Sequence, residues 1–204
     1  SCSVRAPRRP PRTNCGPLWV KLTMGQKTKV QWCDHTQNFW IGCAKVSAEC
    51  KNCYAVTAMP TRVARSRGLE LWGEKSRRRI ASEAAWAEPE KWNRMAQAAG
   101  QRRRVFTNSL ADFFEDYQGP DADTLSAARL RAFGVMTGTP WLDWLVLTKR
   151  PHQVLAMAPR QWLHDPACAA APCGCDGRKH WPANVWIGTT AGTSDTARFR
   201  IPDL

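Results

Sequence analysis

The stretch DWLVLTKRP, Asp143 to Pro151, sets an unbroken apolar run, Trp144 to Leu147, against an abrupt polar end at Thr148, Lys149 and Arg150. Strict alternation would mark a strand with one wet face. A continuous run marks a strand covered on both faces, as in parallel sheets packed under helices. Two further stretches read the same way: RVFTNS, Arg104 to Ser109, and NVWIGTT, Asn184 to Thr190. Their polar ends at Ser109, Thr148 and Thr189 lie 39 and 41 residues apart, room for one strand, one helix and an insertion in each repeat.

Helical patterns fill the gaps. In EPEKWNRMAQAAG, Pro89 suits a first helical turn and Gly100 a stop. Trp92, Met95, Ala96 and Ala99 recur at helical spacing and predict one apolar face. In DADTLSAARLRAFGVM, Asp121 or Asp123 serves as N-cap, Leu125, Ala128, Ala132 and Val135 form the stripe, and Gly134 weakens the end. An earlier strand leading into Gly42 brings the total to about four strand–helix units. A closed eight-stranded barrel takes ~250 residues. The predicted fold is therefore α/β, a partial TIM-like barrel of parallel strand–helix units with a Cys-rich loop insertion. An open doubly wound sheet is the rival architecture.

Residues 1–23, rich in Pro and Arg and without an acidic residue, read as a disordered or mis-assigned basic leader. Residues 24–204 read as the folded domain. The net charge of +13 includes five positive charges in the leader, so the domain carries about +8. No stretch approaches the ~20 apolar residues of a membrane span, and no secretory signal is present. A cytoplasmic protein without a membrane partner is expected, with reduced cysteines available for metal.

Ligands of both architectures bind at the carboxyl ends of the strands. The residues there are Cys43, then Asn108, Ser109 and Asp112, then Lys149 and Arg150, then Thr189 and Thr190. All four groups are predicted to share one rim. Lys149 and Arg150 suit an anionic group, and Asp112 an ammonium or a hydroxyl. Arg77–Arg79 is either solvated surface or an anion grip. Arg102–Arg104 precedes a strand and belongs to the far, amino end of the sheet.

Cys43, Cys50 and Cys53 stand in GCAKVSAECKNCYA with spacing C-x6-C-x2-C, beside Lys45 and Lys51. Three readings remain open. The group holds a [4Fe-4S] cluster with one iron free of protein ligands. It holds zinc, with Cys33 or His35 as the fourth ligand of a closed shell. Or its thiols are simply free. A second group, Cys168, Cys173 and Cys175 flanked by His164 and His180, forms an insertion at about 164–180. Its Pro and Gly content leaves it no core of its own, which suits zinc, a second cluster or a flexible loop.

The blocks KVQWCDHTQNFWIGCAKVSAECKNCYA, RRRVFTNSLADFFED, WLDWLVLTKRP, WPANVWIGTTAGT and RIPDL, in that order, resemble the phage gene-product thirty-seven/sixty-eight family. That is a radical S-adenosylmethionine-like group of largely unassigned function. The resemblance covers roughly Thr28 to Leu204. It implies a partial barrel, a [4Fe-4S] cluster on Cys43, Cys50 and Cys53, and S-adenosylmethionine as cofactor. The cofactor's carboxylate would fall to Lys149 and Arg150, and its ammonium to Asp112. The chemistry implied is release of a 5′-deoxyadenosyl radical that takes a hydrogen from an unknown substrate, with an unknown electron donor. Members continue past the RIP segment, so the end at Leu204 reads as a C-terminal truncation. The radical superfamily's usual loop is C-x3-C-x2-C with an aromatic before the last Cys; here the first gap is six and Tyr54 follows Cys53. The competing expectation is a non-catalytic, zinc-dependent nucleic-acid-binding protein, with nucleic acid as partner on the strength of the charge.

Overall fold

The computed structural model describes residues 28, 30–164 and 180–204. In chain order the elements are β1 (His35–Thr36), β2 (Trp40–Ile41), a 3-10 turn (Ala48–Asn52), α1 (Tyr54–Thr57), α2 (Met59–Ser66), β3 (Arg79–Ile80) and α3 (Glu83–Ala98). They continue through β4 (Arg103–Thr107), α4 (Ala122–Gly138), β5 (Leu142–Thr148), a 3-10 turn (Pro151–Gln153), α5 (Val154–Met157), α6 (Arg160–Leu163), β6 (Val185–Thr189) and α7 (Ser194–Arg200).

The fold is mixed α/β, with a four-stranded sheet in the order β1-β4-β5-β6. Every pair in it is parallel, with Val105 opposite Trp144 and Trp144 opposite Val185. Spatial order follows chain order without a reversal. The apolar runs at Arg104–Ser109, Asp143–Pro151 and Asn184–Thr190 correspond to β4, β5 and β6, each bound within three residues. Val105, Phe106 and Thr107 are buried in succession, so β4 is covered on both faces. β5 alternates between buried and half-buried, and β6 lies at the edge, where Trp186 is exposed.

The strand before Gly42 differs from expectation. Trp40–Ile41 pairs antiparallel with Arg79–Ile80 in a separate two-stranded ribbon, and the first parallel strand is the short β1 just upstream. An apolar run records burial and not the partner, so FWI read equally well as either.

α3 also departs from its pattern. It begins at Glu83 and carries Pro89 in its interior. Proline lacks the N–H that would bond the carbonyl four residues back, which leaves the Ala85 carbonyl without its helical donor. The buried Gln37 amide supplies one, donating from Nε2 to that oxygen at 3.1 Å. The repair comes from 48 residues away and is invisible in local pattern. The buried stripe is Ala85, Trp86, Pro89, Trp92 and Ala96, while Met95 and Ala99 face solvent. Gly100, at φ +61°, ends the helix as expected.

Asp121 holds the N-cap position of α4, yet its carboxylate does not cap the helix; it accepts from Arg77 Nη1 and the Arg78 N–H. Leu125, Ala128 and Ala132 are buried as the stripe requires, joined by Phe133 and Met136, with Val135 half-buried. The core is aromatic. Trp144, Phe39, Trp40, Phe113, Phe133 and Trp162 lie within it, and Phe133 meets Trp162 edge to face at 4.8 Å. The tryptophans at 40, 86, 92, 144 and 162 are therefore packing residues.

Candidate functional site

A cavity of about 610 Å³ opens at the carboxyl ends of the parallel strands. Cys43, Cys50 and Cys53 border it, with Asn108 and Ser109 from the end of β4 and Asp112 from the turn that follows. Lys149 and Arg150 from the end of β5 and Thr190 past β6 complete the rim. The convergence expected of these four groups is therefore present. Thr189 itself turns back to the sheet and donates to the Thr148 carbonyl, leaving the lining to Thr190.

Each cysteine is placed by a specific local device. Gly42 adopts φ +114°, and a Cβ there would collide with the Leu71 carbonyl. Only glycine lets the chain turn from β2 into Cys43 so close to that backbone. Cys50 lies in the 3-10 turn Ala48–Asn52, and Cys53 opens α1. The facing wall is held by Asn38, whose Oδ1 accepts from Leu110 N–H at 2.8 Å and whose amide pairs with the Ser109 hydroxyl. Tyr54 donates to the Ser109 carbonyl at 2.7 Å, which ties the cysteine segment to that same turn.

Under the cysteines lies a buried charge network. Glu115 takes two hydrogen bonds from Arg78, both at 2.8 Å, and accepts the Ala44 N–H at 2.7 Å. Arg150 pairs with Asp112 at 2.9 Å, donates to the Ala44 carbonyl, and reaches Cys43 Sγ at 3.7 Å. Asp112 also accepts from the Thr148 hydroxyl, the Lys149 N–H and the Phe114 N–H. Its four contacts belong to the chain, so its first task here is to hold Arg150 and the end of β5. Lys149 extends its ammonium to Cys50 Sγ at 3.7 Å.

The electrostatics divide the cysteines. Burial, then the Glu115 and Asp112 carboxylates, push the Cys43 thiol up to about 12 against the pull of Arg150. Burial also pushes the Cys50 thiol up, but backbone hydrogen bonds at Val46 and Ser47 and the Lys149 ammonium outweigh it, and the thiol ends below its ordinary value. A buried thiol like Cys43 becomes a thiolate only against a strong cation, so metal binding there releases a proton.

Asn108 is the one amide of the wall with a free hand. It is buried, its Oδ1 accepts from the Phe39 N–H and the Thr107 hydroxyl, and its Nδ2 has no partner among the described residues.

The candidate fourth zinc ligands lie elsewhere. Cys33 is buried beside the Val30 carbonyl, and His35 stacks on Trp92 at 4.4 Å; neither borders the cavity. Among the described residues, no group of three or more His, Cys, Asp or Glu is close enough to hold a single metal ion. Of the second cysteine group, Cys168, Cys173 and Cys175 lie outside the described residues. His164 ends α6 and His180 precedes β6, both away from the cavity.

Arg78 is the site residue that sequence reasoning left undecided. Its run could have lain wholly at the surface, yet Arg78 is buried under Cys43 while Arg77 stays exposed. The available signal was Glu115, an acidic residue in the apolar context FFED that needed a buried cation. No helix among the described residues is long and apolar enough to cross a membrane. A family model described as "Protein of unknown function (DUF5131)" matches residues 27–204. No curated protein and no solved structure matches the chain.

Proposed function

We propose, for a chain that belongs to this family of unknown function, an iron–sulfur protein of the radical S-adenosylmethionine type. Cys43, Cys50 and Cys53 would hold three irons of a [4Fe-4S] cluster, and S-adenosylmethionine would occupy the cavity beside it. The observation that carries this reading is the meeting of three thiols at one cavity. Each thiolate of a cluster binds its own iron, so its donors stand farther apart than those of a single ion. When bound, a reduced cluster of this kind supplies the electron that cleaves the cofactor.

The chain's own residues would do the rest. Arg150 and Lys149, each 3.7 Å from a sulfur, offset the negative charge that thiolates bring into a buried place. Glu115 and Arg78 anchor the Ala44 backbone next to Cys43. Strand order that follows chain order is consistent with the partial-barrel architecture, since a doubly wound sheet reverses at its switch point.

The test is anaerobic reconstitution with iron and sulfide, followed by metal analysis and visible absorption. The expected product is brown, with about four irons per chain, and the Cys43→Ser, Cys50→Ser and Cys53→Ser variants each lose most of it. A colourless protein that retains one zinc per chain, released by the same substitutions, overturns the reading.

A further inference from the structure

The domain's charge is not spread evenly. Residues 43–79 hold nine Lys and Arg against three Asp and Glu, whereas residues 80–204 hold fourteen against thirteen. Nearly all the excess therefore lies on the segment that carries the cysteines, α2 and the chain returning to β3. One of the nine, Arg78, is buried in the network with Glu115. Arg65 is paired with Glu70 and Arg77 with Asp121. Lys45, Lys51, Arg62, Arg67 and Lys75 are exposed and form no ion pair with a described residue. Arg67 also stands near Arg79, whose pKa is held down by burial and then by Arg67's like charge. Like charges close together repel, and an anion bound across them relieves the repulsion.

The segment reaches the cavity through Lys45 and the Glu70-paired Arg65, with Glu70 and Glu74 also on its border. Tyr54 and Trp72 border the cavity with them. The Tyr54 ring is exposed at the mouth, yet its hydroxyl is fixed by the Ser109 carbonyl. Trp72 is held against the cysteine segment by a backbone bridge to Cys43. Cations that track a backbone, interleaved with fixed aromatic faces, are what a single strand of nucleic acid requires. An acidic peptide uses the cations but has no planar bases to stack. A pocket of about 610 Å³ has the capacity of a small-molecule site. It excludes a duplex but admits one unstacked nucleotide.

We propose that the surface formed by α2 and the chain following it binds single-stranded nucleic acid and leads one nucleotide to the cysteine-lined cavity. The catalytic part of this inference rests on the iron–sulfur reading; the binding part does not.

The experiment is fluorescence anisotropy with a labelled single-stranded 20-nucleotide probe of mixed sequence, titrated across a salt series. Three proteins are compared: the unaltered chain, Arg62→Glu with Arg67→Glu, and Lys91→Glu with Arg94→Glu on helix α3 as a charge-matched control. Each phosphate contact contributes ~0.7 to the logarithmic salt slope for a single strand. The double variant is expected to lower that slope by ~1.4 and to weaken binding at least about tenfold, since two contacts are lost. The α3 double variant should bind like the unaltered chain. No salt-dependent binding, equal losses in the two variants, or equally strong displacement of the probe by polyglutamate would each overturn the inference, the last in favour of an acidic peptide. Thermal melting checks that the variants fold. Reconstituted iron content, which neither variant should change, reports separately on the iron–sulfur reading.

Discussion

Two runs of three arginines stand 25 residues apart and look alike as sequence, Arg77–Arg79 and Arg102–Arg104. Their fates differ. Arg102 and Arg103 lie at the amino end of the sheet, where they meet Asp143 and Asp34 with much of each side chain in water. Arg78 is fully enclosed, bonded twice to Glu115 and stacked over the Tyr117 ring at 4.2 Å. The same residue type is solvated trim at one end of the strands and a structural ion at the other. The difference lies in what the tertiary fold brings opposite each one. A buried guanidinium is tolerable only when a carboxylate and several carbonyls meet it, and Arg78 has Glu115 plus the carbonyls of Leu71, Gly73, Ser76 and Arg77.

Removing one carboxylate at a time grades this contrast. Glu115→Gln is expected to give the largest effect, about 3–5 kcal/mol of lost stability in urea unfolding, because it strands a buried Arg78 and removes a counter-charge from Arg150. A loss under about 1 kcal/mol would mean that water reaches this network and that the two runs do not differ after all.

Glu49 provides the intermediate case. It stands in the cysteine segment and binds α7 through Arg200 at 2.7 Å, the Thr196 hydroxyl and the Gly192 N–H. The hydrogen bond from Arg200, opposed by a smaller burial effect and assisted by Thr196 and Gly192, lowers its pKa from 4.5 to about 2. Because the folded value is depressed, this contribution is complete above about pH 4.5 and disappears as pH falls toward about 2. Urea midpoints measured at about pH 6 and about pH 3 should fall farther in the unaltered chain than in Glu49→Gln. Equal falls would show that Glu49 does not clamp α7 to the cysteines.

At the exposed end, Asp143→Asn opposite Arg102 should cost no more than about 1 kcal/mol and lose even that at high salt. A cost matching that of Glu115→Gln would erase the comparison from the other side.

Local pattern carried much of the fold. The apolar runs at β4, β5 and β6 located three parallel strands, and the polar residues just beyond them located the cavity wall. It failed where a residue answers to a distant partner. Pro89 marked a helix start because its missing donor is harmless there, yet it sits mid-helix because Gln37 replaces that donor. FWI gave no sign of pairing with Arg79–Ile80. Met95 matched the helical period but faces solvent, because the helix starts at Glu83 and its buried stripe runs through Ala85, Trp86, Pro89, Trp92 and Ala96.

The amino-acid order alone determined the spacing of the cysteines, the strand–helix rhythm and the excess of positive charge, because these depend on neighbours along the chain. Only the tertiary structure decided which arginine is buried and which carboxylate meets it. It likewise kept Cys33 and His35 away from the three thiols and left the Asn108 amide unpaired at the cavity wall. Those outcomes depend on contacts between residues tens of positions apart, and the free energy of a charge or a polar group is set by the dielectric and the partners around it after the chain has closed.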